Sequence, residues 1–303
     1  MTFHSSTTND NTIYESFDTT DINTSYLNRR HYFELFKNCK NIVSSPKIDS
    51  TEAVISCGSM FYGCSSLTTA PEINTSGCGD FSRMFQDCTS LTSVPVYRLN
   101  VNYINSQYGT EASYMFYNCK SLTNLPNVFI NNRLWQVMFM FYGCTSLTTV
   151  GNLDLRYVKD ARGMFKNCTS LTTVGNLDLR ECDTFNEYFS GCTSLTSIGT
   201  INMTSVVPDT DWSVGQNVYS TENMFYNCSN LQNIDGLTGS RGTLNFSSCP
   251  LITTDSINNI ANPIANADFQ NVEEVYIIFN RDIILTDTLI NKFVRKGYTV
   301  SKV

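Results

Sequence analysis

Cysteine is the residue type that gives this chain its greatest potential for chemistry. The sequence holds 12 cysteines and two histidines in 303 residues. Thiols support disulfide bonds, zinc sites or nucleophilic catalysis. Zinc requires cysteines or histidines at C-x-x-C or C-x-x-H spacing, and neither spacing occurs. The sequence therefore predicts no metal site, and we expect no cofactor.

Nine of the cysteines share one sequence frame, in which a Phe precedes the Cys by three residues and a Leu or Ile follows it by three. They are Cys39, Cys64, Cys88, Cys119, Cys144, Cys168, Cys192, Cys228 and Cys249. The other three, Cys57, Cys78 and Cys182, fall four or seven residues before a frame Phe. This register favours small buried core residues, and hence reduced thiols. Disulfides between neighbouring frame cysteines remain an alternative, whereas Cys78 and Cys182 lie too many repeats apart.

A pair of carboxylates offers a second kind of chemistry. Asp154 and Asp178 occupy equivalent places on adjacent predicted strands, as the two acids of a glycosidase would. Each is followed two residues later by an arginine, Arg156 or Arg180, which indicates an exposed ladder of alternating charge instead. Both histidines precede residue 32, so the repeats have no imidazole for general-base chemistry. We predict that the protein is not an enzyme, with a carboxylate glycosidase as the less favoured alternative.

The candidate binding residues lie on the predicted strand face and in two insertions. On or beside the strand face they are Phe129, Trp135, Asn152, Asp154, Arg156, Asn176, Asp178 and Arg180. In the insertions they are Tyr103, Tyr108, Trp212 and Tyr219. Exposed aromatic rings stack on sugars or grip a partner protein. Packing against a neighbouring repeat is an equally good interpretation of these aromatic residues.

These residues must be positioned by a repeat. The frames begin at Phe36, Phe61, Phe85, Phe116, Phe141, Phe165, Phe189, Phe225 and Phe246, and their spacing ranges from 21 to 36 residues. A recurring period in the twenties is typical of a solenoid, in which each unit buries its apolar face against the next. Insertions after Leu91 and Leu195 stretch the period, and loops of this kind commonly carry binding.

Two periodicities alternate within each repeat. Apolar residues at positions −7, −4, −1, 0, +3 and +6 relative to the Phe have the spacing of one helical face, which predicts a short helix ending near the Cys. After the Leu the period becomes two, as in Val174-Gly-Asn-Leu177-Asp-Leu179, which predicts one half-buried strand per repeat in a parallel sheet. The predicted fold is an α/β solenoid of about nine coils.

We predict three regions: a polar N-terminal arm or cap over residues 1–30, the solenoid over 31–252, and a C-terminal α/β cap over 253–303. In the cap we expect a helix through Ile257 and Ile260, a strand over 272–279, a helix over 286–296 and a strand over 298–303. Such a segment shields the last coil from water.

Charge and hydropathy exclude two classes of partner. A formal net charge of −7 without a basic cluster argues against nucleic acid. No apolar run approaches the roughly 20 residues of a membrane span. The first residues lack the basic and apolar regions of a signal peptide, so we expect a protein made in a cytoplasm. The sequence does not indicate the oligomeric state.

The frame M-F-x-x-C-x-x-L with T-x-[VIL] and a strand after it is most complete in M164-F-K-N-C-T-S-L-T-T-V. It resembles the BspA-type leucine-rich repeats of bacterial surface proteins. The tail LTDTLINKFVRKGYTV is similar to the closing segment of such repeats in gut Bacteroidetes and their phages. The resemblance implies a right-handed superhelix and a rigid recognition or adhesion scaffold, without catalytic residues.

These observations lead to a functional expectation. We expect a phage virion protein of the tail or fibre that binds a host-surface glycan or protein through the strand face and the insertions. The N-terminal arm would attach it to other virion proteins. A bacterial cell-surface adhesin or lipoprotein-type repeat protein is the alternative.

Overall fold

A computed structural model describes most of the chain. It covers residues 32–45, 54, 56–95, 97–98, 109–125, 129–130, 134–150, 155–204, 221–240, 242–262 and 275–303. The strands are β1 (Tyr97–Arg98), β2 (Thr110–Glu111), β3 (Asn124–Leu125), β4 (Phe129–Ile130), β5 (Leu134–Gln136), β6 (Thr149–Val150), β7 (Thr173–Val174), β8 (Leu177–Asp178), β9 (Ser197–Asn202), β10 (Asn233–Thr238), β11 (Leu244–Phe246), β12 (Tyr276–Phe279) and β13 (Thr299–Lys302). The helices are α1 (Thr254–Ala261) and α2 (Asp287–Val294).

The predicted helix of each repeat is wrong, because the described residues around each frame Phe up to Phe225 form consecutive turns. In the repeat of Phe61, the Cys64 N–H bonds to the Phe61 carbonyl at 3.1 Å, while the Phe61 N–H bonds to Met84 of the next repeat at 2.8 Å. An α-helix keeps every such bond within itself. We call the six residues from position −3 to +2 the turn ribbon, since its N–H groups alternate between local and inter-repeat bonds.

The turn ribbon depends on two residues per repeat with positive φ, at positions −2 and +2. The +2 residues are Asn38, Gly63, Asp87, Asn118, Gly143, Asn167, Gly191 and Asn227, with φ between 58° and 80°. Gly, Asn and Asp are the residues that adopt this left-handed conformation at least cost. A residue with positive φ therefore directly precedes the Cys of each repeat up to Cys228, where the sequence predicts the end of a helix.

The inward positions predicted from the apolar pattern are confirmed. In the repeat of Phe165, the side chains at −7, −4, −1, 0, +3 and +6 are all buried; they are Val158, Ala161, Met164, Phe165, Cys168 and Leu171. The frame rings stack on one another in sequence from Phe36 to Phe246, with centroids 4.9 to 6.1 Å apart. Phe279 of β12 extends this stack at 5.8 Å. Aromatic pairs at this distance add to the energy of burial.

Each buried frame thiol also links two repeats. Cys144 Sγ donates to the carbonyl of Phe116 in the preceding repeat at 3.0 Å, and Cys168 Sγ donates to Phe141 at the same distance. The same bond recurs from Cys64 to Cys249. All twelve cysteines are free in the structure. Cysteine therefore supplies a small apolar group and a donor at once.

The predicted strands pair in parallel, but they form several sheets rather than one. The longest path runs β10-β9-β7-β6-β3, with β8 also paired to β9. Separate pairs join β1 to β4 and β2 to β5. The sheet begins earlier than predicted, at the second residue after the final Leu of a frame, where the pairing includes Asn124 with Thr149 and Thr173 with Ser197. We call this part of the repeats the strand side.

The C-terminal elements match the prediction closely. Thr253 caps α1 by accepting from the Ser256 N–H, and Thr286 caps α2 by accepting from the Leu289 N–H. The sheet order is β11-β12-β13, all parallel, so the ninth frame residue, Phe246, lies in a strand instead of a turn. Gly297 follows α2 with φ 86°, as expected of a helix stop.

The three predicted domain boundaries, the right-handed superhelix and the count of about nine coils remain predictions. What the described residues establish is a succession of repeats joined by parallel strands, by the turn ribbon and by the stacked rings.

Candidate functional site

The strand-face candidates that the structure describes make hydrogen bonds to their own neighbours. Arg180 Nε donates to Asp178 Oδ1 at 2.9 Å, and this contact raises the pKa of the arginine. Asn202 Nδ2 also donates to Asp178, at 3.4 Å. Asn176 Oδ1 accepts from the Thr200 N–H at 2.9 Å. The alternating charge pairing is therefore present between Asp178 and Arg180.

Two further candidates lie in cation–π contacts. The exposed Arg156 guanidinium lies 5.7 Å from the ring centroid of Tyr157. Trp135 in β5 is half-buried, with Lys159 Nζ 5.8 Å from its ring centroid. Lys159 also pairs with Glu181 at 3.2 Å. Trp135 is thus part of a charged cluster.

The carboxyl of Asp183 lies close enough to Lys159 to interact with it electrostatically. Its pKa is raised from the ordinary value, chiefly by burial, and Lys159 opposes that rise. Carboxyls with raised pKa values occur at functional sites and in structural ion-pair networks alike. Here the neighbouring lysine is already engaged with Glu181 and the ring of Trp135, which is the arrangement of a structural network.

Several candidates lie outside the described residues: Tyr103, Tyr108, Asn152, Asp154, Trp212 and Tyr219. The backbone of Phe129 in β4 pairs with Tyr97 in β1. The proposed pairing of Asp154 with Asp178 consequently stays a prediction. The structure brings together Asn176, Asp178 and Arg180, which share one short stretch of the strand side.

The thiols are placed for structure rather than reaction. Burial raises the pKa of Cys64 to about 12, with Cys39 adding to the rise. A hydrogen bond with Cys78, and then burial, raises the pKa of Cys57. Raised values keep a thiol protonated and unreactive at neutral pH. Among the described residues, no group of three His, Cys, Asp or Glu side chains is arranged to hold a metal ion.

The helices in the described part of the chain include none that is long and apolar enough to cross a membrane.

Sequence reasoning missed an aromatic quartet on the turn ribbon, composed of Tyr114, Tyr117, Phe139 and Tyr142. All four rings are half-buried and contact one another. Tyr117 and Tyr142 stack with centroids 4.5 Å apart, and Tyr114 stacks on Phe139 at 5.5 Å. The Arg83 guanidinium lies 5.0 Å from the Tyr114 centroid. Burial, together with the nearby Tyr142 hydroxyl, raises the pKa of Tyr117.

Two members of the quartet adopt a costly backbone conformation. Tyr114 has φ 61° and Phe139 has φ 51°, a region in which a bulky residue is unusual. The penalty for a non-glycine residue there is of order 1–2 kcal/mol. The fold imposes this conformation at the −2 position of each repeat from Phe36 to Phe225, and Gly163 occupies it in the next repeat. The choice of an aromatic residue at a position outside the core therefore needs a separate explanation.

A cleft of about 280 Å³ lies further along the same ribbon. It is lined by Lys166, Asn167, Glu187, Ser190, Gly191, Asn223, Tyr226 and Asn227. The Lys166 ammonium pairs with the Glu187 carboxylate, so the only two charged groups of the lining offset each other. Asn167 Nδ2 donates to the Tyr142 hydroxyl at 3.3 Å and so joins the cleft to the quartet.

A sequence signal for this surface existed. In the repeats of Phe116 and Phe141, the −2 and +1 positions are both aromatic, whereas the other repeats mostly carry polar residues or glycine there. The helical interpretation concealed the signal, because it did not place −2 and +1 side by side on one outward surface. In the turn ribbon these positions are neighbours both within a repeat and between repeats.

Comparison with known proteins identifies the family. The family model described as "Mycoplasma protein of unknown function, DUF285" matches residues 30–149 and 135–240, well over half of the chain. The chain belongs to this family. Within the DUF285 match lie the turn ribbon, the aromatic quartet and the cleft. The description states no activity, so membership assigns no reaction.

Among solved structures, a leucine-rich repeat protein of T. pallidum is similar to this chain at 17% sequence identity. The similarity covers 74% of this chain and 85% of the other, with a TM-score of 0.39. At that TM-score the two folds are only loosely alike. No curated protein matches the sequence.

Proposed function

We propose that the chain is a non-enzymatic recognition scaffold displayed at a surface. The observation that carries this proposal is the continuity of the repeat stack: frame rings from Phe36 to Phe246 lie 4.9 to 6.1 Å from their neighbours. A close-packed stack of this kind holds the outward residues of successive repeats at fixed spacing. Fixed outward residues form a binding surface that is already organised before a partner arrives.

We place the chain on the surface of a phage virion, as part of the tail or fibre. BspA-type repeats, which the frame resembles, occur in phage proteins as well as in surface lipoproteins and adhesins. We propose a host-surface glycan or protein as the partner, and residues 1–30 as the attachment to other virion proteins. A bacterial cell-surface adhesin is the second candidate, favoured by the same resemblance.

The non-enzymatic part of the proposal is supported by the state of the reactive groups. Frame thiols donate to backbone carbonyls within the core, and Asp178 is paired with Arg180. A buried thiol with a raised pKa is unreactive, and the Asp178 carboxylate is already engaged by Arg180.

Immunogold labelling tests the placement. Antibodies against the full chain are applied to purified phage particles and to intact cells of the bacterium from which the gene comes. We expect gold particles on the virion tail. Labelling on the cell surface instead would transfer the chain to the adhesin class, and labelling of neither surface would refute display at a surface.

Product release tests the absence of catalysis. The full chain is incubated with a panel of bacterial and plant polysaccharides, and new reducing ends are measured against a heat-denatured sample. We expect no release above that control. Release that disappears in Asp154→Asn or Asp178→Asn would establish the glycosidase alternative.

A further inference from the structure

The turn ribbon between Tyr114 and Asn227 offers a binding surface that differs in chemistry from the rest of the repeats. We propose that it binds a neutral oligosaccharide, which lies in the cleft against Tyr226 and extends along the aromatic quartet. This inference rests on the proposed recognition function and names its surface and its ligand class.

The ring of Tyr226 is open to solvent. At position +1 the side chains of successive repeats neighbour one another, and Tyr117 and Tyr142 cover each other's faces at 4.5 Å. The residue at this position before Tyr226 is Ser190, which is too small to cover a ring. Tyr226 is 60% exposed, and among the described residues its hydroxyl makes no hydrogen bond. It therefore offers a ring face and a hydroxyl to a ligand in the cleft.

The lining of the cleft is polar and carries no net charge. Besides Tyr226, the cleft presents the amides of Asn167, Asn223 and Asn227, each with donor and acceptor atoms. Its two charges form the ion pair of Lys166 with Glu187, so neither sign of charge is left in excess. A lining of amides and one aromatic ring, without net charge, complements the hydroxyls and the C–H faces of an uncharged sugar. An anionic ligand would find no unpaired cation in this cleft.

The proposed binding surface extends beyond the cleft to the aromatic quartet. The bond from Asn167 to the Tyr142 hydroxyl connects the cleft to the quartet without a gap. From Tyr114 to Tyr226 the surface crosses four repeat steps, which at strand spacing amounts to roughly 19 Å. The ligand that fits is consequently an oligosaccharide rather than a single sugar. The aromatic residues that the fold did not require at the −2 positions, Tyr114 and Phe139, lie along its path.

A glycan array with the full chain tests the inference. The probes are short neutral oligosaccharides of glucose, mannose, galactose and N-acetylglucosamine, printed beside uronate and sulfated oligosaccharides. We expect retention of at least one neutral probe and weaker or no retention of the anionic ones. Titration calorimetry with the best neutral probe then gives a Kd for the variants.

Two pairs of variants compare the same repeat position inside and outside the surface. Tyr226→Ala is matched by Tyr62→Ala, both at position +1, and Asn167→Gly is matched by Asn38→Gly, both at position +2. Glycine preserves the positive φ of 62° at Asn167 and 63° at Asn38. We expect the Kd to rise about tenfold or more for the first member of each pair and to change by less than about twofold for the second. Thermal unfolding verifies that all four variants fold.

Other outcomes distinguish this inference from the proposed function. Neutral probes bound equally well by wild type and by Tyr226→Ala would place the site elsewhere and overturn the inference, while recognition stands. Retention of only anionic probes or only protein partners would refute the ligand class in the same way. Absence of any bound probe, combined with no immunogold label on virions or cells, would overturn both.

Discussion

The strand side and the turn ribbon differ in how far their polar side chains are engaged by neighbouring repeats. On the strand side, Thr172 Oγ1 donates to the Thr148 carbonyl at 3.2 Å, and Asn176 accepts from the Thr200 N–H. In the ribbon, the ring of Tyr226 and the amides of Asn223 and Asn227 line an open cleft. A repetitive surface is therefore not uniformly available for binding. Polar groups that join one repeat to the next are already engaged, as Asn167 is with Tyr142 in the ribbon, whereas the exposed side chains of Tyr226 and Asn227 line the cleft.

The largest expected effect tests whether the ribbon's inward ring stack holds the repeats together. Phe225 is fully buried, with neighbouring frame rings at 6.1 and 4.9 Å. We expect Phe225→Ala to lower the free energy of unfolding by about 3–5 kcal/mol, through lost burial and the cavity left behind. Urea unfolding measures it, and the adjacent exposed Tyr226→Ala, expected to change stability by about 0.5 kcal/mol or less, is the control. A loss below about 1 kcal/mol for Phe225→Ala would mean that strand pairing holds the stack instead.

The next effect concerns the buried frame thiols, which directly follow the ribbon in each repeat. Burial raises the pKa of Cys64 from the ordinary 9.0 to about 12, so the folded state keeps a proton that the unfolded state loses above pH 9.0. The stabilisation is therefore fully present below pH 9.0 and is lost as the pH rises towards about 12. We expect this thiol to contribute a decline of about 1.4 kcal/mol per pH unit in that window.

Urea unfolding at a series of pH values from neutral to alkaline measures this decline. Cys64→Ala is the control, because it removes one titrating thiol and should give a shallower dependence. An identical slope in the two proteins would show that the Cys64 thiol does not carry the effect.

A smaller effect compares one glycine from each region. Gly163 in the ribbon has φ 58°, and a Cβ there would collide with the Phe139 ring. Gly175 on the strand side has open space at the Cβ position and no left-handed φ. We expect Gly163→Ala to cost about 1–2 kcal/mol in unfolding free energy and Gly175→Ala to change it by less than about 0.5 kcal/mol.

Oligosaccharide binding by the same two glycine variants tests the part played by the quartet. Gly163→Ala displaces Phe139 and should therefore also weaken binding of the neutral oligosaccharide that we propose for this surface. Gly175→Ala should leave that binding unchanged. If both glycine variants bind the oligosaccharide like wild type, the quartet takes no part in recognition.

The smallest effect is expected on the strand side. Asp178 and Arg180 form an ion pair in which both side chains are substantially exposed to solvent. Such pairs contribute little to stability. We expect Asp178→Asn to leave both the unfolding midpoint and oligosaccharide binding unchanged, as measured by urea titration and calorimetry. A clear loss of binding in this variant would return the recognition site to the strand face.

Burial and repeat spacing were predictable from the sequence, because they depend on which residues are apolar and how often they recur. The pattern located the core correctly for the repeat of Phe165, and it placed the two C-terminal helices close to the observed α1 and α2. The local conformation was not predictable in the same way. Apolar residues at three-and-four spacing fit a helical face and a chain of turns equally well, and the choice between them depends on inter-repeat hydrogen bonds.

The binding candidates show the same division. Asn176 and Asp178 looked available in the sequence because alternating polar residues indicate an exposed strand face. The structure bonds them to Thr200 and Arg180. The Thr200 partner of Asn176 is 24 residues away, which sequence spacing alone does not show, whereas the Arg180 partner of Asp178 was indicated by the alternating charges.

By itself, the sequence determined the repeat, its inward residues and the core role of the cysteines, since these follow from composition and period. The tertiary structure alone decided that the Phe61 N–H bonds to Met84 of the next repeat, which turns a predicted helix into a ribbon. It also decided that Tyr117 and Tyr142, 25 residues apart in sequence, stack at 4.5 Å. The physical reason is that inter-repeat hydrogen bonds fix the register of distant residues, and register determines which side chains meet.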